Sequence, residues 1–141
     1  NVPQDLKTGE DGRNKGANFE RMIARELHAL TGIGFKRHLD QYRERDNSDL
    51  TPSDPAFPFA LELKHYGNGT GLRDTWKAQA ERAAERQSRW PCVIYRINRG
   101  PIRCAIPMRA MCPQWPGDVW AELTLNGLAT IAAERMAEAA I

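Results

Sequence analysis

The chain has 141 residues, of which 41% are hydrophobic and 27% charged, and its formal net charge is +2 at pH 7. This length predicts one compact domain with a core of its own. We expect neither a secretory signal nor a membrane span, since no apolar run approaches the ~18 residues that span a membrane. The three cysteines are an odd number without a Cys-x-x-Cys pair, which argues against disulfides and favours a reducing cytoplasm.

Basic residues are concentrated in the middle of the chain. Residues 73–109 contain nine basic and three acidic side chains, whereas residues 110–141 contain one basic and four acidic side chains. A basic surface suits a protein that holds a phosphodiester backbone, although a solvated helix face would explain any single arginine equally well.

The N-terminal third predicts an arm, a helix and a strand. Residues 1–12 are polar and aperiodic, so we expect a flexible arm. A helix then follows a cap at Asn14 or Asn18 and runs to about Leu30. Its apolar stripe consists of Phe19, Ile23, Leu27 and Leu30. After a turn rich in glycine, residues 35 to about 43 predict the first strand, in which His38 is a structural or phosphate-facing residue.

Two acidic residues are expected to meet where the next two strands pair. Asp49 begins a second strand, and residues 59–64 alternate in polarity, so that Glu62 and Lys64 share one strand face while the apolar residues face a core. If these strands form a hairpin, Asp49 returns beside Glu62. Two carboxylates at one strand end can hold a divalent metal through oxygen, and a neighbouring lysine can activate water. Asp54 is the rival acid, but its setting between prolines predicts a turn residue.

The second half of the chain predicts a helix packed on further strands. The glycine-rich segment after Lys64 predicts a mobile loop in which Tyr66 either stacks on a nucleotide or packs. Residues 73–88 predict a helix with Gln79 at the border of its apolar stripe. Strands are expected at residues 92–97, 102–106 and 119–125, and a last helix is expected after a cap at Asn126.

The order Asp49, then Glu62-Leu63-Lys64, resembles the D-(spacer)-E-x-K core of the PD-(D/E)xK nuclease superfamily. The helix that carries residues 15–21 resembles the opening helix of its archaeal-type Holliday junction resolvase and phage endonuclease branch. The likeness covers residues 13–107, with Ser48 in place of the proline. It implies one α/β nuclease domain over residues 13–141, built as a restriction-endonuclease-like mixed sheet of about five strands flanked by helices.

The resemblance also implies a metal site. Asp49, Glu62 and the backbone carbonyl of Leu63 would hold Mg²⁺, for which Mn²⁺ would be able to substitute. Lys64 would position or deprotonate the attacking water. A zinc site that combines the cysteines with histidines remains an alternative of poor spacing. Its candidate ligands would be Cys92, Cys104, Cys112, His28, His38 and His65.

Residues on the two helices would support this site. Glu20 lies at the edge of the first apolar stripe and would contact the metal or its water, or it is simply a surface glutamate; Glu26 is the fallback candidate. Gln79 would orient the lysine or the scissile phosphate, or it is a half-buried polar residue. The residues expected to grip the nucleic-acid backbone are Lys15, Arg82 and Arg86.

The resemblance implies metal-dependent hydrolysis of DNA that leaves 5′-phosphates, on branched substrates such as four-way junctions, and we expect this activity in a bacterial, phage-infected or archaeal cell. Symmetric cutting of two strands implies a homodimer. Its candidate surface, unless these side chains are buried in the monomer, contains Met108, Met111, Trp115 and Trp120. The alternatives are a restriction or nicking nuclease of the same superfamily, a catalytically inactive nucleic-acid-binding module, and a structural or interaction protein.

Overall fold

A computed structural model describes residues 4–38 and 48–141, with side chains from residue 15 onward. In these ranges it contains three α-helices, six strands and one 3₁₀ turn, and no helix there is long and apolar enough to cross a membrane. The elements in chain order are α1 (Gln4–Thr31), β1 (Phe35–Arg37), β2 (Leu50–Pro52), β3 (Phe59–Tyr66), α2 (Asp74–Gln87), β4 (Trp90–Ile97), β5 (Arg103–Pro107), the 3₁₀ turn Met108–Ala110, β6 (Trp120–Leu123) and α3 (Leu125–Ala139).

The six strands form one mixed sheet in the order β1-β2-β3-β4-β5-β6. Only β3 and β4 run parallel among the paired strands of the described residues, because α2 returns the chain to the same end of the sheet. The other neighbouring pairs are antiparallel. The α/β prediction is therefore confirmed, with six strands instead of about five because β6 also pairs with β5.

Each face of the sheet is covered by helices. Ile23 and Leu27 of α1 and Leu128 of α3 are fully buried against one face, in the main core. On the other face, Trp76 and Ala80 of α2 pack on residues of β4 and β5. Because both faces of the central strands are covered, β3 is buried along most of its length.

Small side chains bring α2 close to β3. Ala60 of β3 and Ala83 and Ala84 of α2 form a buried cluster of their own. Methyl groups on both surfaces allow the backbones of helix and strand to approach closely. The strand face that carries Glu62 and Lys64 is therefore covered by α2.

Two helix starts differ from the prediction. Helix α1 begins at Gln4, so residues 4–12 of the expected arm are helical, whereas the mobility of this segment stays a prediction. The stretch contains good helix formers and no proline, and each of its glycines costs only about 1 kcal/mol in a helix. Helix α3 is capped by Thr124, not Asn126, since the Thr124 hydroxyl accepts a hydrogen bond from the Gly127 amide at 3.0 Å.

Two strand ends also differ. Strand β1 ends at Arg37, and residues 39–47, where its continuation was expected, lie outside the described part of the chain. Strand β3 extends to Tyr66, because the parallel pairing with β4 continues to the pair Tyr66 and Ile97. Tyr66 therefore stands on a strand instead of in the glycine-rich loop.

The candidate dimer segment is divided between the interior and the surface. Met111 packs against the main core and Trp120 packs against the cluster under α2. Met108 is partly buried, whereas Trp115 is one of the exposed large hydrophobic residues. The monomer thus accounts for part of this apolar segment.

Candidate active site

Asp49 is held against β3 by two backbone contacts. Its amide donates to the Leu61 carbonyl at 2.9 Å, which begins the antiparallel pairing of β2 and β3. Its carboxylate oxygen Oδ2 accepts a hydrogen bond from the Leu63 amide at 2.8 Å. The side chain is therefore fixed at the residue that follows Glu62.

Glu62 lies in the interior with an unsatisfied oxygen. It is 2% exposed, and its Oε2 atom is buried without a hydrogen-bond partner. Its Oε1 atom lies 3.7 Å from the Lys64 amine, and its carboxyl is within hydrogen-bonding reach of Asp49. An orphaned carboxylate oxygen in a buried position requires a compensating group.

Burial disfavours the ionised forms of the two acids. Burial, followed by the charge of Asp49, raises the pKa of Glu62 to about 8. Burial also raises the pKa of Asp49 to about 6, although the Leu63 amide counteracts this rise. Burial therefore disfavours the charged forms of both acids, and a bound cation would favour them.

The donor set fits a hard divalent cation. Asp49 and Glu62 supply carboxylate oxygens, and the Leu63 carbonyl is the backbone oxygen between the acid and the lysine of the motif. In residues 4–38 and 48–141 no three His, Cys, Asp or Glu side chains are grouped to hold a metal. Two carboxylates, one carbonyl and water molecules form a ligand set that Mg²⁺ and Mn²⁺ accept.

Lys64 is held at the site by α2. Its amine donates to the Gln79 amide oxygen at 2.9 Å, and its side chain is 18% exposed. Alternation along β3 directs Ala60, Glu62, Lys64 and Tyr66 to the same face. This strand face lies opposite α2, which contributes the alanine contact and the Gln79 contact. The lysine is therefore neither free in solvent nor buried in the apolar core.

Glu20 lies near Asp49, but its carboxylate forms an ion pair with Arg37. Its Oε2 atom accepts a hydrogen bond from Nε of Arg37 at 2.6 Å, between α1 and β1. Its negative charge nevertheless contributes to the raised pKa of Asp49. Sequence reasoning missed Arg37 as the partner of Glu20, because Arg37 is seventeen positions away and stands on a strand without clear alternation. Glu26 lines a surface cavity beside Ile102 instead.

The other residues expected to bind nucleic acid lie on α1 and α2. The Lys15 amine lies at the end of β3, where a β-carbon on Gly67 would be 3.6 Å from it. Arg82 and Arg86 are exposed on α2, beyond the turn that carries Gln79. The structure therefore brings Gln79 into direct contact with Lys64, whereas the DNA-binding roles of Lys15, Arg82 and Arg86 stay predictions.

Sequence reasoning missed a buried polar network behind Asp49. Ser48 is 2% exposed, and its hydroxyl donates to the Leu50 carbonyl at 3.2 Å. The same hydroxyl accepts a hydrogen bond from Gln87 Nε2 at 2.9 Å, and Gln87 in turn accepts from Arg89. Ser48, which stands where the superfamily motif has proline, thus ties the residue before Asp49 to the end of α2.

The rival acid and the cysteines have other surroundings. The Asp54 carboxylate accepts a hydrogen bond from the Ala56 amide at 2.9 Å, as a turn residue does. Cys92 and Cys104 are free and buried, and burial raises the pKa of both thiols. Cys112 is free and exposed. Asp54 therefore stabilises its own turn, and the two buried thiols are in the protonated state that favours packing.

A mixed sheet covered by helices on both faces, with a buried acid pair where β2 meets β3, defines a restriction-endonuclease-like α/β domain. The model of a family described as "Phage putative PDDEXK endonuclease" matches residues 11–134. The chain belongs to this family, and the resemblance to the PD-(D/E)xK nuclease superfamily is confirmed.

A solved structure shows the same fold. The Holliday junction resolvase Hjc from the archaeal hyperthermophile Archaeoglobus fulgidus superposes with a TM-score of 0.54 over 84% of this chain and 98% of that chain, at 17% sequence identity. A search of curated proteins found no match. At this level of identity the likeness to Hjc establishes the architecture alone.

Proposed function

We propose that the protein is a metal-dependent endodeoxyribonuclease that hydrolyses phosphodiester bonds in branched DNA and leaves 5′-phosphates. Membership of a nuclease family supports the reaction class. The observation that carries the proposal is the Glu62 carboxylate, which is buried beside Asp49 with one oxygen unpartnered. A protein gains nothing in stability from such a pair, whereas a nuclease requires it to hold a cation.

The proposed cofactor is Mg²⁺, with Mn²⁺ able to substitute, held by Asp49, Glu62 and the Leu63 carbonyl. A bound divalent ion supplies Lewis-acid stabilisation of a phosphate oxygen and a more acidic water. The Leu63 amide fixes the Asp49 carboxylate at 2.8 Å, so that the ligand is oriented before the substrate arrives. Such preorganisation of ligands by their neighbours improves metal affinity.

Lys64 is the proposed catalytic residue among the cations. Its amine is fixed by Gln79 at 2.9 Å, close to the acid pair. From there it would orient or deprotonate the attacking water and would neutralise charge that develops on the phosphate. Glu20 would support this site from α1 in an outer position, since its carboxylate is bonded to Arg37.

The proposed substrate is a four-way junction or a related branch, cut by a homodimer. Hjc, which shares the fold, is described as a Holliday junction resolvase, and symmetric cutting of two strands requires two sites. Trp115 remains the best candidate for the dimer surface, because it is exposed whereas Met111 and Trp120 pack within the chain. We expect this activity in the cytoplasm of a bacterial, phage-infected or archaeal cell.

The test compares labelled four-way junction, linear duplex and single-stranded DNA, with and without Mg²⁺. Wild type should cut the junction with Mg²⁺ only, and Glu62→Ala should bind it without cutting. End-group analysis should find 5′-phosphates, and sedimentation should give a dimer. Cutting of linear duplex at fixed sites would instead indicate a restriction-type enzyme. Salt-sensitive binding without cutting at any metal concentration would indicate an inactive binding module.

A further inference from the structure

A cation and two aromatic rings form a cluster beyond the proposed catalytic lysine. The Tyr66 ring stacks on the Trp76 ring with a centroid distance of 5.2 Å and an interplanar angle of 19°. The Arg73 guanidinium carbon lies 4.8 Å from the Tyr66 centroid and 5.0 Å from the Trp76 centroid. The proposed nuclease chemistry makes no use of these three residues.

The cluster is aligned with the acid pair. Glu62, Lys64 and Tyr66 alternate along one strand and point to the same face, so Tyr66 follows Lys64 by about 7 Å along β3. Exposure rises along this row, from 2% at Glu62 through 18% for the Lys64 side chain to 37% at Tyr66. The proposed site therefore opens toward Tyr66, and successive nucleotides in a strand are spaced by a similar distance.

Trp76 and Arg73 do not enclose Tyr66 from opposite faces of its ring. If they did, the distance from Arg73 to Trp76 would be close to the sum of their distances from Tyr66, which are 4.8 Å and 5.2 Å. The observed distance from Arg73 to Trp76 is 5.0 Å, so Arg73 lies beside the stacked pair. Trp76 is buried and rests in turn on Tyr95, with ring centroids 5.7 Å apart. Tyr66 thus rests on a buried aromatic support, and with 37% of its surface exposed it is accessible to a ligand.

One cation lies beside this ring. The Arg73 guanidinium carbon is 4.8 Å from the Tyr66 centroid, and the group is 3.4 Å from the position of a β-carbon on Gly69, in the loop that follows Tyr66. An aromatic platform with a guanidinium at its side complements a nucleobase with its phosphate, since bases stack on aromatic rings and phosphates pair with guanidinium groups.

We infer that Tyr66 and Arg73 form a nucleotide subsite, in which an unstacked base next to the scissile phosphate packs on Tyr66 while its phosphate pairs with Arg73. This inference rests on the proposed function. A base can reach such a ring only where it has left the duplex stack, so the subsite gives the enzyme a preference for DNA at a branch. Tyr66 and Arg73 are thereby specificity-determining residues.

The test measures junction binding in EDTA and single-turnover cleavage with Mg²⁺. Tyr66→Ala should weaken binding of the four-way junction roughly 5- to 150-fold, the range found for loss of one base stack, while Tyr66→Phe should stay within about twofold. Trp90→Ala is the matched control, because Trp90 is 38% exposed and stands at the opposite end of the same parallel strand pair. Its affinity for the junction should match wild type.

A second series removes the base instead of the ring. Junctions with one abasic nucleotide near the branch are titrated with wild type and Tyr66→Ala. At one position the abasic site should weaken wild-type binding as much as Tyr66→Ala does, and the two changes together should have no additional effect. Independent losses at every position would overturn the inference and leave Tyr66 a packing residue.

The two proposals fail in different ways. Absence of cutting by wild type on every DNA would remove the nuclease proposal, but the binding series in EDTA would still decide the subsite. Normal cutting with Tyr66→Ala equal to wild type on junctions would remove the subsite and leave the nuclease intact. Melting temperatures of both tyrosine variants exclude a loss that comes only from a loosened Trp76.

Discussion

The Lys64 amine donates a hydrogen bond to the amide oxygen of Gln79 at 2.9 Å, from strand β3 to helix α2. Without it, the lysine would retain only its 3.7 Å approach to Glu62 and could turn toward solvent. Gln79 is therefore a positioning residue for the proposed reaction, and its contribution can be separated from DNA binding.

We expect Gln79→Leu to lower kcat about tenfold, the smaller effect typical of residues that orient a functional group, with less than about a twofold change in KM. Gln79→Glu should retain more activity because its carboxylate also accepts from the lysine. Single-turnover kinetics on the preferred DNA measures both. Glu81→Ala, at an exposed position on the same helix, is the control. An increase in KM alone would show that Gln79 contacts the substrate instead.

The acid pair should make the metal-free protein less stable at high pH. The pKa of Glu62 is raised from 4.5 to about 8, so the folded state binds a proton that the unfolded state has released, and stability falls as pH rises between these values. We expect Glu62→Gln in EDTA to be more stable than wild type by about 1–3 kcal/mol near pH 9, with the difference lost near pH 5.

Thermal unfolding across this pH range measures the effect. Added Mg²⁺ or Mn²⁺ should raise the melting temperature of wild type near neutral pH and should have less effect on Glu62→Gln. A variant less stable than wild type at every pH would show that the Glu62 carboxylate is satisfied by the protein itself.

The ion pair between Arg37 and Glu20 should affect the pKa of Asp49. Arg37→Gln leaves the Glu20 charge uncompensated near Asp49, which should raise the pKa of Asp49 further. We expect the acidic limb of the pH–rate profile to move to higher pH, with a loss of a few fold near neutrality. Glu20→Gln should move that limb in the opposite direction if Glu20 acts through its charge. A loss of activity at every pH would support direct participation of Glu20.

The Ser48 network should stabilise the segment that carries Asp49. Ser48→Ala removes the acceptor for Gln87 and should lower the free energy of unfolding by about 1–2 kcal/mol. Ser48→Ala combined with Gln87→Leu should be less destabilising than the sum of the single changes, because the orphaned amide is also removed. Denaturant unfolding of the four proteins tests this coupling, and simple additivity would contradict it.

The sequence contained the information that brings Asp49 beside Glu62. Alternation over residues 59–64 assigns the strand faces, and the turn chemistry around residue 54 permits the antiparallel pairing of Leu50 and Leu61. The order Asp49, then Glu62-Leu63-Lys64, then matched the motif of the nuclease superfamily. These features depend on short-range patterns, which explains why a single sequence was sufficient to predict the hairpin.

Other parts of the site depend on contacts between distant positions. Arg37 reaches Glu20 from seventeen positions away, and Gln87 reaches Ser48 from thirty-nine away. Local pattern carries no signal for such pairs, because each partner alone is an ordinary polar residue. The start of α1 at Gln4 was missed for a different reason: marginal helix propensity does not reveal whether an end frays or forms.

The methyl groups of three alanines set the distance between strand β3 and helix α2. The contact of Ala60 with Ala83 and Ala84 determines how closely α2 packs on the sheet, and hence whether Gln79 reaches Lys64. A single larger aliphatic residue at any of these positions would act as a spacer beneath the helix. Such a protein would retain its sheet and its acid pair and would lose the contact between Gln79 and Lys64, so the three alanines constrain the proposed site without touching it.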